Sequence, residues 1–153
     1  MEPITARAGD GLPKAPVPGT AELVFPMEAW VADERIPVTA RAMYHSSAPY
    51  EVTLEFLVHG ESIGQWVFAR DLLLEDSAET VGAGDVKVWT QGAREGRPER
   101  VHLYLDNGID RCALVADHHH IVLWRKVVTS MVPPGSESRH MDIDGLLCRL
   151  LTD

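Results

Sequence analysis

The sequence predicts an α+β domain in which two antiparallel β-meanders are separated by a short helix and followed by two C-terminal helices. Three observations predict it. Apolar and polar residues alternate over seven short segments, and turns rich in Gly, Asn and Asp separate most of these segments. Apolar residues spaced three and four apart, as on one face of a helix, occur mainly in the last third of the chain. Since strands do not alternate regularly with helices, the sheet is expected to be antiparallel.

Length and charge limit the classes of protein to consider. A chain of 153 residues fits one domain. Residues 1–19 are rich in Pro and Gly and are predicted to form a flexible tail, and residues 20–153 to form the domain. The net charge is −9, which disfavours nucleic acid as a partner. Cys112 and Cys148 are far apart and form no CxxC pair, and there is no signal peptide, so we expect reduced thiols in the cytoplasm.

The first meander is predicted from residues 20 to 69. Its four strands are expected at residues 22–31, 38–45, 50–58 and 62–69. Pro26 lacks an N–H group, so the first strand should lie at an edge or contain a bulge near it. Turns are expected at residues 33–35 and 59–61.

A short helix and a loop are predicted to join the two meanders. Residues 70–76 are long enough for one or two helical turns, and residues 77–84 form the loop. Arg70 and Asp71 stand where the strand passes into the helix, where a charged pair is expected to cap the helix or form a local salt bridge. Gly82 and Gly84 permit positive φ angles before the next strand.

The second meander and the helices complete the chain. Strands are predicted at residues 85–91, 100–106 and 110–116, with turns at 94–98 and 106–108. A helix capped by Asp117 is expected to place Ile121, Trp124, Val128 and Met131 on one apolar face. The β-branched run 127–129 leaves a continued strand as the alternative. Residues 133–135 should end this helix, and a last amphipathic helix is predicted at 143–151.

No pattern of catalytic or metal-binding residues stands out. Consecutive helical side chains diverge, so His118, His119 and His120 lack the spacing of four residues that metal ligands adopt on a helix. We interpret them as a polar helix start that is potentially pH-sensitive, and a metal site is the alternative. The GAGD segment at residues 82–85 precedes a strand rather than a helix, which favours a structural turn over a phosphate-binding loop. We therefore expect no enzyme activity, no cofactor and no bound metal.

The aromatic residues on the predicted strands have two interpretations. Trp66, Phe68 and Trp89 lie on strands, where they fill a core or subunit interface or else stack single-stranded bases. Few cations lie beside them, which favours the first interpretation.

The proline-containing connector at residues 132–137 either stops the helix or presents a fixed surface to a partner. Gly135 is sensitive to substitution if its φ is positive.

Three motifs in the same order resemble those of the SsgA-like proteins. They are QWVFARDLLLED at residues 65–76, GAGDVKVW at 82–89 and VPPGSESRHMDID at 132–144, and the resemblance covers approximately residues 20–151. From these motifs we take the following residues as candidates for protein interaction or for structural roles: Trp66, Phe68, Arg70, Asp71, Gly82, Gly84, Asp85, Trp89, Pro133, Pro134, Gly135 and Glu137.

The resemblance implies a non-enzymatic regulator of sporulation-specific cell division, acting in the cytoplasm at the septum. Expected partners are the tubulin-like protein FtsZ, other septal or wall proteins, and SsgA-like paralogues, and any contact with the membrane would pass through them. It also implies Whirly-like curved sheets and a homotrimer. Because Whirly domains bind single-stranded nucleic acid, such binding is the alternative function, although fold alone does not transmit function.

Overall fold

The computed structural model describes residues 6–7, 19–80, 82, 85–141, 148 and 150–151. The strands are β1 (Ala6–Arg7), β2 (Thr20–Val31), β3 (Glu34–His45), β4 (Glu51–Val58), β5 (Glu61–Ala69), β6 (Val86–Gln91), β7 (Arg100–Asp106) and β8 (Arg111–Asp117). The helices are α1 (Asp71–Leu74), α2 (His118–Met131) and a 3-10 helix at Glu137–His140.

The two meanders are joined into one curled sheet. Its strand order is β5-β4-β3-β2-β8-β7-β6, and every neighbouring pair in this order is antiparallel. Only three residue pairs join β2 to β8, between Glu28–Trp30 and Ala113–Val115. The predicted α+β class with two antiparallel meanders is confirmed. The predicted edge strand or bulge at Pro26 is wrong, because β2 is an interior strand and its pairing with β3 runs through Pro26 and Thr39 without interruption. Pro26 has no partner on β8, so its missing N–H group costs no ladder hydrogen bond on that side.

The hairpin between β2 and β3 differs slightly from the prediction. Ala32 and Asp33 form the turn with φ angles of 48° and 67°, as a two-residue hairpin loop demands. Glu34 pairs with Val31, and Arg35 pairs with Trp30. The strand pairing therefore continues through residues that the sequence assigned to the turn, because their polar side chains do not prevent pairing at the end of a hairpin.

One face of the sheet forms the core together with α2. The alternate residues Leu23, Phe25, Met27 and Ala29 of β2 are all buried, and their neighbours on the other strands continue this apolar layer. Helix α2 covers the layer with its own buried residues, which are His120, Ile121, Trp124 and Val128. The opposite face of the sheet, which we call the outer face, is not covered by α2.

Helix α2 forms despite its β-branched residues. Burial of its apolar face outweighs a weak helix propensity, so the helical prediction is right and the strand alternative is wrong. Asp117 is the N-cap residue, but its side chain makes no capping hydrogen bond and instead lies 3.7 Å from Arg100 Nε. The helix ends where Val132 donates its N–H to the carbonyl of Val128 and Pro133 follows.

Both ends of the chain fall largely outside the described residues. Of the predicted tail, only β1 and Gly19 are described, and β1 pairs in parallel with Leu23 and Val24 of β2. Of the predicted last helix, Cys148, Leu150 and Leu151 are described, and all three are helical. Within the described ranges, the helices are too short or too polar to serve as membrane spans.

Candidate functional site

Arg70 is a charged residue in the interior of the domain. It lies between β5 and α1 and is 1% exposed. Its backbone N–H donates to the Tyr50 carbonyl at 2.9 Å, and its carbonyl accepts the Leu73 N–H at 2.9 Å. A buried guanidinium is costly unless anions and carbonyls satisfy it, so the partners of its side chain matter to the fold.

The guanidinium of Arg70 joins three parts of the chain. Nη1 donates to the Val132 carbonyl at 2.8 Å and to the Tyr44 hydroxyl at 3.2 Å, and Nη2 donates to Glu137 Oε1 at 2.7 Å. The Tyr44 hydroxyl in turn donates to the Pro49 carbonyl at 2.9 Å. We call Tyr44, Arg70, Val132 and Glu137 the Arg70 node. It ties β3, the end of β5 and the segment after α2 to one another.

Residues 132–137 form the connector, and the Arg70 node holds both of its ends. Val132 is buried, whereas Pro133, Pro134 and Gly135 are exposed. Gly135 has a φ of 92°, and its N–H points to both carboxylate oxygens of Glu137 at 3.0 and 3.1 Å. The Glu137 carboxylate therefore binds the buried guanidinium and the backbone of the turn together. The exposed tip is consequently held in a fixed shape.

The charges of the Arg70 node are consistent with this geometry. The pKa of Glu137 is lowered below its usual value by the backbone N–H of Glu137 itself, by the Arg70 guanidinium and by the Gly135 N–H. Burial raises the pKa of Tyr44. Near neutral pH the node therefore contains one cation, one anion and one neutral hydroxyl, which is a balanced arrangement for an interior site.

The structure brings five of the predicted site residues together and separates Arg70 from Asp71. Arg70, Glu137 and the connector residues Pro133 to Gly135 form one unit. The expected local salt bridge of Arg70 is wrong, because its ion-pair partner is Glu137, 67 positions away in the sequence. Asp71 is exposed as the first residue of α1. Tyr44 was missed, since nothing in an alternating strand indicates which hydroxyl meets a distant guanidinium.

The glycine motif before β6 has a packing role. Gly82 has a φ of 109°, which confirms the predicted positive angle. A Cβ atom there would lie 2.5 Å from the Val86 carbonyl oxygen and 3.3 Å from Leu72, so only glycine fits without displacing the backbone. Gly84 lies outside the described residues. Asp85 is exposed, and its carbonyl accepts the Asp106 N–H at 2.9 Å.

The three predicted aromatic residues do not form one platform. Phe68 is 8% exposed in the core, and Trp66 packs against the same core from β5. Trp89 lies on β6, at the other end of the strand order, and stacks on His102 with ring centroids 5.0 Å apart. Since Val86 and Val88 fill the core face of β6, Trp89 is on the outer face. The interpretation of these residues as packing residues is supported for Trp66 and Phe68.

The histidine run is divided among three environments. His118 is half-buried, and its Nε2 lies 2.9 Å from Asp76 Oδ1 while its Nδ1 lies 3.2 Å from Glu99 Oε2. His119 is exposed, and His120 is buried against Phe25. The sequence indicated a polar helix start and did not reveal either carboxylate, because Asp76 and Glu99 are distant along the chain.

Asp76, Glu99 and His118 place one ligand atom each within 4.8 Å of one another, a spacing compatible with a metal ion. Their bonding favours an ion-pair cluster. The two ring nitrogens of His118 face different carboxylates, and Arg125 Nη2 is 2.6 Å from Asp76 Oδ1. Arg125 also donates to the Leu73 carbonyl. A cation would have to compete with this guanidinium for the Asp76 carboxylate, so we assign the cluster to holding α2 against α1 and β7.

Comparison with known proteins places this arrangement in a family. The sequence model described as "Streptomyces sporulation and cell division protein, SsgA" matches residues 38–137, which include Arg70 and the whole connector. The chain belongs to the SsgA family. The match is narrower than the predicted range of 20–151 and ends at Glu137, the anionic member of the Arg70 node.

Relatives of this SsgA-family chain agree in sequence and in structure. The sporulation-specific cell division protein SsgB of Kineococcus radiotolerans is 38% identical over 118 residues, which cover 76% of this chain and 70% of the relative. A solved structure reported with mutations in SsgB that correlate to longitudinal cell division during sporulation of Streptomyces coelicolor is 31% identical. It aligns with a TM-score of 0.70 over 80% of this chain and 95% of that one.

A second solved structure supports the same fold for the SsgA-family chain. The SsgA-like sporulation-specific cell division protein of Thermobifida fusca is 26% identical and aligns with a TM-score of 0.74. The alignment covers 87% of this chain and 97% of the other. These likenesses confirm the resemblance that the three sequence motifs indicated.

Proposed function

We propose that this SsgA-family chain is a non-enzymatic regulator of sporulation-specific cell division, which helps to select or assemble the septum site. It would act at the septum by recruiting FtsZ, promoting FtsZ ring assembly, or contacting related septal and wall proteins. The observation that carries this proposal is the exposed tip of the connector held by a buried ion pair. Such a surface binds a partner without first losing conformational entropy.

Sequence similarity to other proteins supports the same proposal. The relatives that match this chain are named as sporulation-specific cell division proteins, and the matched residues include the connector. Paralogues of the SsgA family are further candidate partners. Contact with the membrane would be indirect, through these proteins. We propose that catalysis and cofactors play no part in this role.

Glycine substitutions provide a matched test of the connector. Gly135 and Gly108 both have positive φ angles, 92° and 88°, and open space around the position of an added Cβ atom. Gly135→Ala and Gly108→Ala should therefore strain the backbone similarly, but only the first changes the proposed partner surface. In a sporulating host that carries each variant in place of the natural gene, we expect Gly135→Ala to misplace septa and Gly108→Ala to leave them normal.

A pull-down from sporulating cells with the same two variants identifies the partner. We expect FtsZ or another septal protein to be captured by the unchanged chain and by Gly108→Ala, and to be reduced with Gly135→Ala. Normal septa and normal spores after deletion of the gene would contradict the proposed function. Equal capture by both variants would remove the connector from it.

Self-association is part of the proposal, and the edge strand β5 supports it. In the strand order β5 pairs only with β4, and its Ile63 and Val67 are 62% and 50% exposed. An apolar edge of this kind favours pairing with another chain, and we propose a homotrimer. Sedimentation should show a trimer that Val67→Lys weakens, whereas Ile109→Lys, at an 87% exposed position in a loop, should leave it intact. A stable monomer at micromolar concentration would refute this part.

Single-stranded nucleic acid binding remains the alternative function, and the stacked Trp89 on the outer face is the observation in its favour. Filter binding of single-stranded DNA and RNA at low and at higher salt decides between the two. Tight binding with a steep salt dependence would favour the alternative, because phosphate contacts depend on ionic strength.

A further inference from the structure

A groove of about 1170 Å³ crosses the outer face of the sheet, where β2 meets β8 and β7. Ala113, Val115 and His102 line it from adjacent strands. Trp30 contributes from the end of β2, and the turn between β6 and β7 contributes Arg94 together with Arg97. We call this cavity the outer-face groove. It is remote from the connector in sequence and has no role in the Arg70 node.

The charges in the outer-face groove are unusual for an acidic chain. Its lining includes the four arginines Arg35, Arg94, Arg97 and Arg100 and three acids, Glu28, Glu95 and Asp117. Arg100 Nη2 donates to Glu28 Oε1 at 2.8 Å, and this hydrogen bond lowers the pKa of Glu28. Arg100 Nε also lies 3.7 Å from Asp117 Oδ1. Arg35 Nη1 also lies 3.9 Å from Glu28 Oε2, so Arg100 and Arg35 together offset the charges of Glu28 and Asp117.

Arg94 and Arg97 are placed as a pair of like charges. Their backbones form an isolated antiparallel bridge, with Arg97 donating to the Arg94 carbonyl at 2.6 Å. Glu95 and Gly96 close the turn with φ angles of 44° and 78°. Residues opposite each other in such a bridge project their side chains to the same side, and like charges there are destabilising. Within the described residues neither arginine has an ion-pair partner, so an anion between them would relieve this repulsion.

The aromatic residues of this region favour a peptide over nucleic acid. Trp30 is 39% exposed, but the Arg35 guanidinium lies 4.4 Å from its ring centroid. Trp89 is stacked on His102, with 7° between the rings. Each ring thus has one face occupied, which leaves little room for stacked bases. Carboxylates match the paired guanidiniums, because the two groups form bidentate hydrogen bonds.

We propose that the outer-face groove binds an extended acidic segment of a partner protein, with carboxylates at Arg94 and Arg97 and an apolar side chain against Trp30. This proposal states the chemistry of a partner segment. That such a partner belongs to the division machinery rests on the proposed function. The connector and the groove lie on different elements, so each is testable alone.

The test uses the full chain and a fluorescein-labelled peptide of about twelve residues, made of Asp and Glu with two Leu residues. Its binding is measured by fluorescence anisotropy at low salt. The comparison peptide replaces Asp and Glu by Asn and Gln. The double variant Arg94→Gln/Arg97→Gln is compared with Lys126→Gln/Arg139→Gln, which removes the same charge from exposed positions on α2 and the 3-10 helix.

We expect the acidic peptide to bind the unchanged chain and the control variant, and the groove variant to bind it about tenfold more weakly. Equal weakening by both double variants would overturn the proposal, as would equal binding of the Asn and Gln peptide. Tighter binding of a twelve-nucleotide oligo-dT would assign the groove to nucleic acid. Dissociation of an oligomer by the groove variant in sedimentation would assign it to a second copy of the chain.

This peptide assay separates the two proposals. Loss of septation after gene deletion together with no peptide binding would refute the groove alone. Groove-dependent peptide binding together with normal septation after deletion would refute the proposed function alone.

Discussion

Glu137 Oε1 accepts a 2.7 Å hydrogen bond from Nη2 of Arg70, and the two residues are 67 positions apart. Arg70 is almost fully buried, and Glu137 is both the last residue of the connector and the first residue of the 3-10 helix. This one ion pair sets where the chain runs after α2. The shape of the exposed connector therefore depends on a residue at the end of β5.

Removing the Arg70 guanidinium should destabilise the domain strongly. Arg70→Met removes the guanidinium that binds Glu137 and the Val132 carbonyl, and we expect the free energy of unfolding to fall by about 3 kcal/mol. Urea unfolding monitored by fluorescence measures this loss. The control Arg139→Met changes an exposed arginine and should cost less than about 0.5 kcal/mol. Similar losses for the two variants would show that the Arg70 node does not stabilise the fold.

The contribution of Glu137 should depend on pH. Its pKa is lowered in the folded chain, so its stabilisation is present above the ordinary value of 4.5 and is lost as the pH falls through the folded pKa. Glu137→Gln should therefore lower the melting temperature at pH 7, and the difference from the unchanged chain should shrink below pH 4.5. Glu61→Gln, the same substitution at an exposed position, is the control variant measured beside it. A difference that is constant with pH would contradict this account.

Gly82 should tolerate alanine less well than Gly60. Both have positive φ angles, 109° and 80°, but a Cβ atom at residue 82 meets the Val86 carbonyl oxygen at 2.5 Å, whereas nothing lies within 4 Å at residue 60. We expect Gly60→Ala to cost about 1 kcal/mol from backbone strain and Gly82→Ala about 2–4 kcal/mol. Thermal unfolding of the two variants checks the difference. Equal losses in the free energy of unfolding would mean that the loop before β6 moves to accommodate the Cβ atom without destabilising the fold.

His120 should make stability fall in mild acid. Burial, assisted by the nearby His119, lowers its pKa below 6.5, although Asp117 acts in the opposite direction. The unfolded chain then takes up the proton more readily, so stability is full above about pH 6.5 and declines as the pH falls towards the folded pKa. His120→Gln should flatten melting temperature against pH between about 7 and 5.

His102 is the comparison for this experiment, because burial and Arg100 lower its pKa as well. His102→Gln should remove a separate share of the same pH dependence. Since the lowered carboxyl pKa values act below pH 4.5, they do not disturb this window. An unchanged profile in His120→Gln would show that His120 is accessible to solvent in the folded chain.

The amino-acid sequence by itself determined the strands, their turns and the main helix of this protein. Alternation along β4 and the three- to four-residue spacing of Ile121, Trp124 and Val128 are local patterns, and burial of one face makes each pattern visible in the chain. The motifs that indicated the family are local as well. The positive φ that glycine permits at residue 82 was also a local expectation, whereas the sequence left the φ of Gly135 open.

Only the tertiary structure decided which distant residues meet. The three-residue pairing of β2 with β8, the partner of Arg70 and the carboxylates around His118 depend on how the sheet curls and on where α2 packs. The spacing of residues along the sequence does not predict such contacts. A charged residue has the same local sequence pattern whether its side chain is exposed to water or pairs with an ion 67 positions away.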